Sequence, residues 1–156
     1  MAEAARPETL GMMDIQKILE YMPHRYPFLL VDRIIAIDSD KSCIGIKNVT
    51  ANEPQFMGHF PGKPLFPGVL IIEGMAQTAG ALVVHAMPED ERATPTVLFT
   101  TIDKAKFRKQ VIPGDQMQYR MTKIAHRRSI FWYRGEAYVG DQLVAEAELS
   151  AMLILP

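Results

Sequence analysis

The sequence predicts an α+β protein in which an antiparallel sheet wraps around one long hydrophobic helix. Three observations point there. Val69 to about Met87 is an apolar run opened after Pro67-Gly68 and closed by Pro88, and at 1.5 Å per residue it makes a helix about 28 Å long. Four strand-like runs separated by turn chemistry follow it. Two more runs, rich in Ile, Val and Leu, precede it. A helix that is apolar nearly all round needs cover on most sides, and these strands are the material that can supply it.

Taken in order, Met1 to Met13 shows no period and mixes Ala, Glu, Arg and Pro, the composition of a mobile extension. Residues 14–156 then form one domain. Asp14 is placed to cap a short helix with Ile15, Ile18, Leu19 and Met22 on its apolar face, ended by Pro23. His24-Arg25-Tyr26-Pro27 reads as loop. Phe28 to Ile37 and Cys43 to Val49 form an antiparallel pair around the turn Asp38-Ser39-Asp40-Lys41. Ala51 to Gly68 holds four prolines and three glycines without helical or strand period, so it is an extended, stiffened loop. In the long helix, Gly74, Ala76, Ala79, Gly80 and Ala81 allow close approach of neighbours. The later strands are Thr96 to Lys109, Gln116 to Ala125, Ile130 to Val139 and Leu143 to Leu155, broken at Pro113-Gly114-Asp115, Arg127-Arg128-Ser129 and Gly140-Asp141.

Composition bounds the function. With 48% hydrophobic and 22% charged residues in a chain of 156, a sizeable core is possible. Seventeen basic against eighteen acidic residues create no overall field toward nucleic acid or an anionic membrane. The single cysteine, Cys43, has no partner for an internal disulfide, and no basic-then-apolar leader opens the chain, so a reducing cytoplasm is expected. Glu73, Gln77, Thr78 and His85 inside the apolar run argue against a membrane span.

Chemistry concentrates in Gly58-His59-Phe60-Pro61-Gly62-Lys63-Pro64-Leu65-Phe66-Pro67-Gly68, which runs directly into Val69-Leu70-Ile71-Ile72-Glu73-Gly74-Met75-Ala76-Gln77. Prolines fix backbone angles and glycines permit bends, so His59 is expected to be held with little freedom to lose, as a base requires. Glu73 shares a helix face with Gln77 and Gly80, and a carboxyl in apolar surroundings is disposed to keep and then donate a proton. Gly68 begins the helix, where its N–H and the helix dipole suit a developing oxyanion. Duller roles compete: a solvated loop histidine, a Glu neutralised by a basic partner, a glycine that serves only the bend. No Walker-type phosphate loop, nucleophile elbow, H-E-x-x-H motif or cysteine pair occurs, so neither metal nor cofactor is expected. His24, His85 and His126 read as structural or surface residues, and Cys43 as core.

His24-Arg25-Tyr26-Pro27-Phe28-Leu29-Leu30-Val31-Asp32-Arg33, the loop from Gly58 to Gly68, Pro67 to Gln77, Ile102 to Arg108, Pro113-Gly114-Asp115 and Ala145-Glu146-Ala147 together resemble the FabZ family of 3-hydroxyacyl-carrier-protein dehydratases. The resemblance runs in order over about residues 14 to 154. It implies a hot-dog fold, an obligate dimer usually assembled as a trimer of dimers, and a tunnel in which His59 of one subunit faces Glu73 of the other. It also implies dehydration of a (3R)-3-hydroxyacyl thioester, with His59 taking the α-proton, Glu73 protonating the leaving hydroxyl and Gly68 N–H binding the carbonyl. Glu73 marks the subfamily, since the related FabA enzymes generally carry Asp there, although some isomerising relatives keep Glu. Gln77, Phe60, Pro67, Tyr26 and Phe99 are the residues expected to support the site or shape the tunnel. Lys104, Lys106, Arg108 and Lys109, with Arg127 and Arg128, are candidates to receive acidic acyl carrier protein, or else charges that discourage edge pairing. A hot-dog thioesterase and a non-catalytic acyl-binding module are the alternatives.

Overall fold

The computed structural model describes residues 10–156; the rest of the expected extension, residues 1–9, lies outside the described residues. The elements are β1 (Gly11–Met13), α1 (Ile15–Tyr21), β2 (Arg33–Asp38), β3 (Ser42–Asn48), α2 (Gly68–Ala86), β4 (Thr96–Phe107), β5 (Gln116–Arg127), β6 (Ile130–Val139) and β7 (Gln142–Ile154). The strands form one antiparallel sheet in the order β1-β2-β3-β5-β6-β7-β4. It wraps around α2, whose residues from Gly74 to Val84 are all buried. This is the hot-dog arrangement. By length and composition α2 could cross a membrane, but its apolar surface is spent against the sheet.

Most elements fall where hydrophobic period and turn residues place them. The Asp14 carboxylate accepts from Lys17 N–H at 3.0 Å and so caps α1. Gly140, with φ of +57°, makes the β6–β7 turn. Two boundaries move. Gly11–Met13 pairs with β2 through Gly11↔Ile37 and Met13↔Ile34, and the Met13 side chain is fully buried. The sheet therefore begins inside the stretch that aperiodic composition marks as an extension; three residues are too few to show a period. The second strand starts only at Arg33, not at Phe28, because backbone groups of residues 28–30 bond to side chains instead of to a ladder.

Core and sheet interlock through small residues. A side chain at Gly74 would collide with the Tyr119 phenol, and one at Gly45 with Thr78. Thus the glycine of α2 makes room for a side chain from the sheet, and the glycine of β3 makes room for one from the helix. Cys43 is buried, and burial pushes its thiol up to about 12, so it is core and not a nucleophile.

Candidate active site

The loop before α2 is fastened by its own backbone. His59 N–H donates to the Gln55 carbonyl at 3.1 Å, Leu65 N–H to the His59 carbonyl at 3.0 Å, and Phe60 and Lys63 exchange two bonds of 2.9 Å. Gly62 turns the chain with φ of +74°, a region that disfavours side chains. Phe66 N–H then donates to the Val111 carbonyl at 2.8 Å, tying the loop to the segment after β4. Within this frame His59 Nδ1 lies 2.6 Å from the Leu65 carbonyl. A carbonyl can only accept, so Nδ1 carries the proton and Nε2 is left as the basic nitrogen. Phe60 stacks on the ring at 4.1 Å between centroids.

His59 and Gly68 line the same cavity of about 370 Å³, with Leu65, Val69, Phe107 and Lys109 among its walls. Pro67 is buried at the helix entry, and its carbonyl accepts the Leu70 N–H at 3.0 Å. Gly68 is the first residue of α2, so its N–H has no intrahelical acceptor and stands at the positive end of the helix dipole. A Cβ there would meet the Phe107 ring at 2.6 Å, which gives glycine a packing reason as well. His59 and the first residue of α2 thus share one largely apolar cavity.

Glu73 does not line that cavity. It faces the loop after α1, where Gln77 Nε2 donates to its Oε1 at 3.0 Å and His24 Nε2 stands 3.4 Å from the same oxygen. Gln77, 1% exposed, also donates to the Phe28 carbonyl at 2.7 Å and accepts from Leu30 N–H at 2.8 Å. Reversing the amide would set its oxygen against a carbonyl, so the orientation is determined. The Tyr119 phenol, pushed well up by burial and hence neutral, donates to the Leu30 carbonyl at 3.2 Å. Residues 28–30 are in this way pinned to α2 by Gln77 and to β5 by Tyr119. Arg25 anchors the other end by donating to the carbonyls of Leu19, Met22 and His24 at 2.7–3.0 Å, which closes the C-terminus of α1.

The structure therefore joins His59, Phe60, Pro67 and Gly68 in one place and Glu73 with Gln77 in another. Tyr26 is 80% exposed and Phe99 is exposed on β4; neither lines the cavity beside His59. His24, which sequence reasoning put among structural or surface residues, is the basic neighbour of Glu73. Its signal lay in the His-Arg-Tyr-Pro segment, though spacing along the chain says nothing of a contact 49 residues away.

The basic residues divide into two groups. Arg108 bonds Glu146 through two nitrogens at 3.2–3.3 Å and holds its carboxyl below the usual range; Lys104 reaches Glu148 at 3.6 Å. Arg108 and Lys109 both line the cavity. Arg127 ends β5 and Arg128 follows in the β5–β6 turn, beside Ile130, which pairs with Met152, which in turn pairs with Leu98. Lys106 pairs with Glu146 instead. Eight residues separate Leu98 from Lys106 along β4, or about 26 Å at 3.3 Å per residue, so the two groups sit at opposite ends of the sheet.

Comparison with known proteins agrees with this architecture. The FabA-like domain matches residues 22–148. A relative from Methylobacterium radiotolerans, a 3-hydroxyacyl-acyl-carrier-protein dehydratase FabZ, is 65% identical, with 99% of both chains covered. The FabZ dehydratase of Sinorhizobium medicae is 56% identical over 99% of this chain and 97% of its own. Among solved structures, the dehydratase heterocomplex ApeI:P from Xenorhabdus doucetiae superposes with a TM-score of 0.76 at 17% identity, covering 87% of this chain and 90% of that one. A hypothetical thioesterase with coenzyme A from Streptococcus pneumoniae gives 0.55 at 9% identity, covering 74% and 80%, and shares the fold. On the domain match and on identities of 56–65% over nearly the whole length, this chain belongs to the FabA-like family, among relatives that are FabZ dehydratases.

Proposed function

We propose that the protein removes water from a (3R)-3-hydroxyacyl thioester borne by acyl carrier protein, giving the trans-2-enoyl thioester of the fatty-acid elongation cycle in the cytoplasm. Its FabZ relatives are named for this substrate class, and the observation that carries the proposal to individual residues is the shared chamber of His59 and Gly68. The thioester carbonyl accepts from Gly68 N–H. His59 Nε2 takes the proton from C2, and the electron pair moves toward the carbonyl as enolate charge, which one well-aimed donor stabilises by about 3–4 kcal/mol. The imidazolium keeps its Nδ1–H on the Leu65 carbonyl, a bond that strengthens with charge. The C2–C3 double bond forms as the C3–O bond breaks, and the hydroxyl leaves as water with the proton of Glu73. Proton exchange with solvent then resets both groups.

Within one chain Glu73 lies outside the cavity that His59 lines, which supports a site completed by the Glu73 of a second copy. The geometry of β4 supports a homodimer. It is an edge strand of twelve residues, nearly all exposed, with Leu98, Phe99, Ile102 and Phe107 among them. A long apolar edge left bare is a pairing surface. Assembly of three such dimers, and Tyr26 and Phe99 at the tunnel mouth, belong to the same proposal. Arg108 and Lys109 are both on the cavity wall; with Arg108 paired to Glu146, Lys109 is the better placed to meet an acidic carrier.

Two experiments test this. With a 3-hydroxyacyl or 2-enoyl thioester, interconversion without thiol release is expected; thiol release would replace the dehydratase with a thioesterase, and inactivity would favour a binding module. Next, His59→Ala and Glu73→Gln, each inactive alone, are mixed by co-expression. Each mixed dimer then holds one intact site, so activity should recover to about a quarter of wild type under random twofold pairing. No recovery would show that base and acid act within one chain.

A further inference from the structure

The polar contacts of Glu73 fall on one of its oxygens. Gln77 Nε2 donates to Oε1 at 3.0 Å and His24 Nε2 stands 3.4 Å from it, while no hydrogen bond among the described residues reaches Oε2. His24 is itself confined, its ring stacked on Phe28 with centroids 6.4 Å apart and its Nδ1 buried without a partner. A proton on Nδ1 would be a buried donor with nothing to accept it, whereas a bare Nδ1 lone pair is the lesser loss. The ring proton therefore sits on Nε2, toward the carboxyl.

We infer that His24 is a positioning residue for the acid: with Gln77 it holds Oε1, leaves Oε2 to carry the transferred proton, and stabilises the carboxylate that remains. This rests on Glu73 being the proton donor. At 3.4 Å the contact is long for a hydrogen bond, which leaves room for it to shorten as negative charge develops on the carboxyl. An interaction that strengthens only during proton transfer acts on turnover and not on substrate affinity.

The test compares three substitutions in the full-length protein. His24→Phe keeps the bulk and the stacking on Phe28 but has no N–H; His24→Ala removes both; His24→Gln returns an N–H at similar reach. Phe and Ala variants are expected to lose roughly ten- to a hundred-fold in kcat, the effect of one charge-assisted hydrogen bond, with KM within about twofold. The Gln variant should recover most of the loss. Full kcat in the Phe variant, a loss confined to KM, or equal loss in Gln and Phe variants would overturn the assignment. Nitrogen-15 spectra of the unmodified protein, with the His24 signals identified by their loss in the Gln variant, supply a second measurement: Nε2 protonated and Nδ1 bare are expected, and the opposite tautomer would overturn it. Glu73→Gln is assayed alongside. If that variant were fully active, the role of Glu73 itself would fail; if it were inactive while His24→Phe kept full kcat, only the role of His24 would.

Discussion

The two halves of the candidate site are held by different means. His59, the proposed base, sits in a loop fastened almost wholly by backbone-to-backbone bonds: His59 to Gln55, Leu65 to His59 and Phe60 to Lys63 span six residues or fewer, and Phe66 to Val111 reaches farther. Glu73, the proposed acid, sits on a helix, and its polar contacts lead far along the chain, through Gln77 to Phe28 and Leu30, 49 and 47 residues from Gln77, and directly to His24. A locally fastened group is insensitive to the side chains around it. A group fastened at long range depends on each of the few side chains that reach across.

The contrast is broken most sharply at Gln77. Gln77→Leu keeps the volume of the side chain but leaves the Phe28 carbonyl and the Leu30 N–H without this partner. At about 1–3 kcal/mol for each unsatisfied buried group, a loss of roughly 3 kcal/mol in unfolding free energy is expected, together with at least a tenfold fall in turnover as Glu73 loses its neighbour. Denaturant melts and steady-state assays measure the two. Wild-type stability would mean that residues 28–30 are held without the amide.

Gly68→Ala probes the other half by a different route. The added methyl would press on the Phe107 ring, and such overpacking costs about 1–3 kcal/mol, here at the N–H proposed to bind the carbonyl. Reduced kcat is expected, relieved by a second substitution, Phe107→Ala. If the double variant stayed as slow as the single one, the methyl itself and not the clash would be at fault.

The same division sets what could be read from residue order. The helix, the four later strands and the His59 loop are legible because period, turn residues and Pro-Gly content act over short spans. The Gly58–Gly68 loop is local chemistry, and so is the helix start that exposes Gly68. That Phe28–Asp32 departs from a strand was not legible, because the competing partners, Gln77 and Tyr119, lie 47 to 89 residues away. His24 escaped for that reason also. Nor does spacing along the chain place Glu73 outside the cavity that His59 and Gly68 line.

Arg25→Ala tests long-range support where it begins. The guanidinium donates to three carbonyls around the end of α1, so its removal should cost about 1–2 kcal/mol, the scale of a lost helix cap. The loop carrying His24 and Phe28 should loosen, visible as faster amide exchange at Phe28 and Leu29, whose N–H groups bond the Arg25 carbonyl at 2.7 and 3.1 Å. Unchanged exchange there would mean that Gln77 and Tyr119 suffice to hold the segment.

The smallest effect is expected where a substitution looks most threatening, inside the His59 loop. Lys63 is exposed, four residues from the base, and its backbone exchanges two bonds with Phe60. Lys63→Ala leaves both bonds in place, since neither uses the side chain. Stability should change by less than about 0.5 kcal/mol, as for an ordinary surface site, with kcat within about twofold. Lys63→Pro, by contrast, deletes the N–H that donates to Phe60 at 2.9 Å and should release the turn that positions the imidazole. A small loss for Ala beside a large one for Pro would show that backbone bonds hold the base. Equal losses would mean that the Lys63 side chain, and not the hydrogen-bonded frame, sets the geometry of His59.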